Sequence, residues 1–203
     1  MKPSVAIVVL AAGRASRMGE GGAHKLLAEF DGVPLIRRVA RAALASEASA
    51  VIVVVGHRQV EIRNALHDLP LHIIENPAYG SGMASSLKAG FASRQSSSAD
   101  GILVMMGDMP GISIANINQL IETFEDARGE AIVRCVADGQ PGNPVILPNS
   151  LKGAVLRLDG DMGARGIIET CGMPIIGVEI GAAARLDLDT PEAIVRAGGV
   201  LKA

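Results

Sequence analysis

Three basic side chains sit in and around a glycine-dense stretch, Leu10-Ala11-Ala12-Gly13-Arg14-Ala-Ser-Arg17-Met-Gly-Glu-Gly-Gly-Ala-His24-Lys25-Leu-Leu. Gly13, Gly19, Gly21 and Gly22 let backbone N–H groups come close to an anion. Arg14, Arg17 and Lys25 supply positive charge, so the combination suits a triphosphate. Spacing excludes the usual phosphate loops. A dinucleotide fingerprint needs G-x-G-x-x-G, whereas Gly13 and Gly19 are six apart. A Walker loop needs glycine directly before its lysine, whereas His24 precedes Lys25. A flexible surface loop is the plainer reading of the glycines. His24 is expected to be exposed and is given no role.

Asp108 ends the run Ile102-Leu-Val-Met-Met-Gly107-Asp108-Met-Pro110. A carboxylate at the end of a buried strand can bind Mg²⁺ together with triphosphate oxygens, because Mg²⁺ is commonly held by one or two carboxylates plus substrate phosphates. A turn or helix-cap aspartate is the alternative. A second carboxylate is sought in Leu186-Asp187-Leu-Asp189-Thr190-Pro191-Glu192. Asp187 and Asp189 share a face in extended chain, while Thr190 or Asp189 before Pro191 also makes a good helix start. In Asn76-Pro-Ala-Tyr-Gly80-Ser-Gly82-Met-Ala-Ser85-Ser86 the glycines allow close backbone contact. Ser85 or Ser86 is expected to open a helix with outward-pointing N–H groups.

These groups must be positioned by regular elements. Val5–Leu10, Val51–Val55, Leu71–Ile74, Ile102–Met106 and Ala131–Val136 are continuous apolar runs, the pattern of strands covered on both faces. Helical patterns lie between them at Pro34–Ser46, Arg58–Leu66, Ser85–Arg94 and Ser113–Phe124, the last capped by Ser113. The alternation predicts an α/β fold, a parallel sheet with helices on both faces. Ligands are then expected at the carboxyl ends of the strands. The C-terminal third is less regular. Gly139–Pro148 holds three prolines and Gly160–Gly166 is glycine-dense, and both are expected as loops. A late strand is expected at Ile175–Val178 and a terminal helix at Pro191–Ala197. Met105 and Met106 are expected as core filling.

Composition narrows the function classes. The 203 residues suit one domain, 1–203, and 19 basic against 21 acidic residues leave a net charge of −2. No basic stripe argues for nucleic acid. With one Tyr, three Phe and no Trp, stacking platforms for bases are not expected. Cys135 and Cys171 fit no metal spacing and no disulfide framework, so a reducing compartment is expected. The longest apolar run, Val5 to Ala12, falls short of the roughly 20 residues of a membrane span. It imitates a signal peptide, but Arg14 and Arg17 follow at once, and a buried first strand explains it better. The cytoplasm is the expected location.

The run Leu10-Ala-Ala-Gly13, with Arg17-Met-Gly19 and Lys25-Leu-Leu, resembles the signature loop of the nucleotidyltransferases that activate molybdenum cofactor. Gly107-Asp108-Met-Pro110 resembles their metal motif, and Asp187-Leu-Asp189-Thr190-Pro191-Glu192 resembles their C-terminal ending. The likeness runs from residue 5 to about 197. One departure stands out: the lysine follows the glycine more closely in that family, whereas Gly19 and Lys25 are six apart here.

The resemblance implies a three-layer α/β/α sandwich around a mostly parallel, Rossmann-like sheet of the nucleotide-diphospho-sugar transferase type. It implies catalytic roles for Arg17, Lys25 and Asp108. Nucleotide would be bound by Leu10, Ala11, Ala12, Gly13, Lys25, Gly82, Ser86 and Asp108. Mg²⁺ would be held by Asp108 and Asp189, with Asp187 the weaker alternative. Gly142, Asn143, Pro144 and Arg165 would meet the acceptor, Arg165 through its phosphate. Ala12 resembles the cytidylyl branch, since guanylyl members carry glycine there, and its side chain favours a pyrimidine.

The implied reaction is transfer of CMP from CTP to the terminal phosphate of molybdopterin-bound molybdenum, with pyrophosphate released. That acceptor phosphate, with a second pKa of about 6, is mostly ionised at neutral pH and needs no general base. A molybdoenzyme or its insertion chaperone would be the partner, with no nucleic acid and no membrane. Rival readings keep the phosphate chemistry with GTP, a sugar phosphate or methylerythritol phosphate, or make the chain a non-catalytic nucleotide-binding chaperone. A nicotinamide dehydrogenase would need an acid near the end of the second strand, where Gly56-His-Arg stands instead.

Overall fold

A computed structural model describes residues 1–14, 24–185 and 188–201. In chain order the strands are β1 (Val5–Ala11), β2 (Glu29–Phe30), β3 (Val33–Pro34), β4 (Ala50–Val55), β5 (His72–Glu75), β6 (Gly101–Met106), β7 (Ile132–Ala137), β8 (Gln140–Pro148) and β9 (Ile175–Glu179). The α-helices are α1 (Leu35–Leu44), α2 (Gln59–Leu66), α3 (Met83–Ala92), α4 (Arg94–Ser97), α5 (Ile114–Asp126), α6 (Lys152–Val155), α7 (Arg165–Thr170) and α8 (Pro191–Arg196). Seven strands form one sheet in the order β5-β4-β1-β6-β8-β7-β9, and β2 and β3 form a small ribbon.

The apolar runs become central strands because both faces are covered. In β1, Val5, Ile7, Val9 and Ala11 point into one core and Ala6, Val8 and Leu10 into the other. The first core packs under α1, α2, α5 and α8 through Leu35, Ile36, Ile62, Leu120 and Ile194. The second packs under α3, α6 and α7 through Leu87, Phe91, Val155 and Ile168. The expected three-layer, mostly parallel α/β architecture is the one present. Caps also fall where expected. Ser113 and Asn116 form a capping box on α5, and Thr190 caps α8 ahead of Pro191. Among the described residues no helix is long and apolar enough to cross a membrane.

Two expectations are corrected. Residues 140–148 are not a loop but β8, which runs antiparallel to both β6 and β7. Its prolines fall at irregular positions: the register shifts between Arg134 and Val136, opposite the stretch from Pro141 to Val145 that holds the cis Asn143–Pro144 bond, and Pro148 closes the strand. A bulge and a strand end are where a missing N–H is tolerated. Residues 165–170, entered from the glycine-dense stretch, form α7.

Gly90 lies where α3 crosses β1, and a Cβ there would stand 2.5 Å from Val8 Cγ1. Alanine in a helix is favoured over glycine by about 1 kcal/mol, but Val8 is fully buried and stiff at χ1. Overpacking of about 1–3 kcal/mol outweighs the propensity gain. Gly90→Ala is expected to lower the stability measured by urea denaturation by about 1 kcal/mol. A more stable variant would contradict this packing.

Candidate functional site

The parallel strands β1, β4 and β6 end at one edge, and their register brings the ends together: Leu10 stands opposite Val54 and Met106. The Gly107 N–H donates to the Leu10 carbonyl at 3.0 Å. A Cβ on Gly107 would meet Ile36 at 3.0 Å and the Leu10 carbonyl at 3.2 Å. Glycine is therefore what lets the chain leave β6 close against β1 and set Asp108 beside Gly13.

Lys25 arrives on a short 3₁₀ turn, Lys25–Leu27, whose Leu26 is buried in the first core. His24 caps that turn. Its Nδ1 accepts from the Leu26 N–H, and its Nε2 lies 3.3 Å from the Gly13 carbonyl. An accepting Nδ1 leaves Nε2 as the donor of a neutral imidazole. Burial lowers the His24 pKa, which favours that neutral form. His24 is only 3% exposed. This corrects the expectation of an exposed residue without a role: it ties the start of the glycine stretch to the lysine turn.

The Lys25 ammonium donates to Asp108 Oδ2 and, at 2.7 Å, to Asp189 Oδ1. The side chains of Lys25, Asp108 and Asp189 are 17%, 6% and 28% exposed, so the trio is largely shielded from water. Burial pulls the lysine pKa down, but the two carboxylates outweigh it and the net shift is upward. Asp189 is placed by buried Leu188 before it and by the Thr190 cap after it. Arg17 and Asp187 lie outside the described residues.

The donor set fits a divalent ion. Asp108 Oδ1 is buried without a hydrogen-bond partner among the described residues, a costly state for a carboxylate oxygen unless a cation or donor meets it. Among the described residues no group of three or more His, Cys, Asp and Glu could hold a metal by itself. Two carboxylates with substrate phosphates are the arrangement Mg²⁺ commonly takes.

A cavity of about 240 Å³ opens onto the trio, lined also by Leu10, Ala11, Gly13 and His24. A second, of about 310 Å³, shares Leu10, Gly13 and Met106 with it and continues past Ala12, Gly82 and Ser86. Each alone is at or below the small end of ligand pockets, about 300–1,000 Å³. Joined along those shared walls they can hold an extended ligand. Met106 is therefore cavity wall, unlike Met105, which is buried in the core.

The second half is shaped by contacts that spacing alone does not announce. Asn76 is buried and donates to Ser85 Oγ at 2.8 Å and Ser86 Oγ at 3.0 Å. Gly56 passes so close under Tyr79 that a Cβ would lie 2.7 Å from the tyrosine Cβ. The Arg14 guanidinium lies over the Tyr79 ring, 5.6 Å from its centre. The helix expected to open at Ser85 or Ser86 opens at Met83, after Gly82 with φ 105°. The Gly160 carbonyl takes the Ala84 N–H at 3.1 Å, so the loop around 160 covers this helix end, and Asp161 joins the cavity wall.

Asp161, Tyr79 and His24 are among the lining residues to which the sequence alone assigns no role. The chain's single tyrosine, set among glycines, was the available signal. Gly142, Asn143 and Pro144 lie in the first half of β8, the end nearest the edge that carries Asp108, with Gly142 packed against the Ala184 backbone. Arg165 is solvent-exposed on α7 and paired with Glu169 at 2.7 Å. None of these four lines either cavity.

Residues 7–175 match the family model described as MobA-like NTP transferase domain. The chain belongs to that family. A relative named nicotine blue oxidoreductase, from Paenarthrobacter nicotinovorans, is 30% identical over 168 residues and covers 80% of each chain. Among solved structures, a nucleotidyl transferase from Methanothermobacter thermautotroptrophicus is 25% identical, with TM-score 0.81, over 96% of this chain and 95% of that one. A homologue of Mycobacterium tuberculosis rv0371c from Mycobacterium sp. strain JC1 is 27% identical, with TM-score 0.80, over 97% and 96%. This MobA-like transferase thus has the nucleotidyltransferase fold and belongs with the enzymes that transfer nucleotides.

A Cβ on Gly82 would clash with the Gly160 carbonyl, and its φ disfavours any L side chain. Gly82→Ala is expected to push the two segments apart and weaken nucleotide binding, read by calorimetry, by about tenfold or more. Unchanged affinity would show that this cavity half takes no part in binding.

Proposed function

We propose that this transferase is a Mg²⁺-dependent cytidylyltransferase that moves CMP from CTP to the terminal phosphate of a molybdopterin-type acceptor, releasing pyrophosphate. The observation that carries the proposal is that Lys25, Asp108 and Asp189 line one cavity, which shares Leu10, Gly13 and Met106 with a second lined by Ala12. Asp108 and Asp189 would hold the ion, which when bound withdraws charge from the phosphates.

Lys25, with Arg17, would neutralise the β- and γ-phosphates beside Gly13. An acceptor phosphate oxygen forms a bond to the α-phosphorus as the bond to the pyrophosphate oxygen breaks, with the electron pair leaving on pyrophosphate. The residues contribute position and charge, which is most of what phosphoryl chemistry asks of a protein. The acceptor brings its nucleophile already ionised, so no proton need be taken from it.

The Ala12 side chain supports a one-ring base. It is buried and lies against the point where Gly56 passes under Tyr79, so a methyl stands where glycine would leave room. The acceptor assignment rests on the resemblance of Gly142, Asn143, Pro144 and Arg165 to acceptor-meeting loops.

Asp108→Ala is expected to cut Mg²⁺-dependent pyrophosphate release from CTP by about a hundredfold or more, with the cooperative melt retained. Full turnover in that variant would reject the metal assignment. In melts of the unsubstituted chain with each of the four ribonucleoside triphosphates and Mg²⁺, CTP is expected to raise the melting temperature most, because only ligands that bind the native state stabilise it. A dominant response to GTP would move the proposal to guanylyl transfer. Binding of CTP without pyrophosphate release under any acceptor would favour a non-catalytic chaperone.

A further inference from the structure

We infer that Lys25 closes the Asp108–Asp189 pair to free divalent cations, so that a metal ion enters this site with a triphosphate and not before it. The inference rests on the triphosphate reading above and adds an order of assembly to it.

Lys25 Nζ donates to one oxygen of each carboxylate. A divalent ion bound by both would need the space this ammonium fills. Lys25 is not free to swing into solvent, because its side chain is 17% exposed and its turn is pinned by buried Leu26 and by the His24 cap. A free ion that displaced it would leave an ammonium largely shielded from water and without a counter-charge among the described residues, which is strongly unfavourable. A triphosphate removes that obstacle. Its β- and γ-oxygens offer Lys25 a new anionic partner on the same cavity wall, beside Gly13. The lysine can then pass from carboxylate to phosphate while the two aspartates pass from lysine to metal. Asp108 Oδ1, which Lys25 leaves without a partner among the described residues, gives the incoming ion a contact that the ammonium does not make. Both exchanges keep every charge paired, whereas either alone does not.

The test uses Mn²⁺ as the metal and inorganic tripolyphosphate as a base-free triphosphate, with binding read by calorimetry and by the paramagnetic signal of Mn²⁺. Without tripolyphosphate, Lys25→Met is expected to bind Mn²⁺ about tenfold or more tightly than the unsubstituted chain. Asp189→Asn in the Lys25→Met background should erase that gain. The Mn²⁺–tripolyphosphate complex should bind the unsubstituted chain more tightly than Lys25→Met. Melts establish that each variant folds. Should Lys25→Met fail to fold, Lys25→Gln, uncharged but still able to donate to a carboxylate, takes its place with the same expectation. Equal affinity of the unsubstituted chain and the lysine variant for free Mn²⁺ would overturn the gate alone. Failure of tripolyphosphate to bind would overturn the triphosphate reading and the order of assembly with it.

Discussion

A single ammonium group is shared by two carboxylates that lie 83 and 164 positions away in the chain. Each of the three groups is partly or wholly removed from water, so none can lose its partners cheaply. The rest of the structure serves that meeting. β6 delivers Asp108 to the sheet edge, the 3₁₀ turn delivers Lys25, and the approach to α8 delivers Asp189. The C-terminal segment is held in place a second time, by paired backbone bonds of 2.8 Å between Glu29 and Val200. Lys25 and Asp189 are thus both carried by segments that pack on the same side of the sheet, through Leu26, Leu188 and Ile194.

Close backbone approach is the second constraint. Gly107 lets the end of β6 lie against β1, Gly56 lets Tyr79 settle over the end of β4, and Gly82 lets the loop at Gly160 cover the start of α3. These contacts shape a cleft with a charged half and a second half beyond Ala12. The charged half presents Lys25 and the two carboxylates, a mixture that suits a metal–polyphosphate better than a simple anion. The second half has an alanine methyl, a tyrosine under an arginine, and a serine oriented by a buried asparagine.

The central strands were legible because burial on both faces leaves an unbroken apolar run, and Val5–Leu10 needed only Ala11 to complete it. β8 was hidden because Pro141, Pro144 and Pro148 read as loop, and only the partner strand reveals that they fall at a bulge and an end. The start of α3 lies earlier than its pattern suggests because the Ala84 N–H is met by a carbonyl 76 residues later in the chain, at Gly160, a contact no local pattern announces. His24 was missed for the same kind of reason: burial is a property of the assembled fold. Lys25, Asp108 and Asp189 were each legible from their motifs. That the lysine joins the two aspartates directly was not, since the motifs point the lysine to phosphate and the aspartates to metal.

The most direct measurement is anomalous diffraction from crystals grown with Mn²⁺ and a non-hydrolysable CTP analogue. The account predicts a metal peak bonded by both Asp108 and Asp189, with the Lys25 ammonium moved onto the phosphates. A metal bound elsewhere, with Lys25 still joined to both carboxylates and the triphosphate outside the Gly13 cavity, would contradict it.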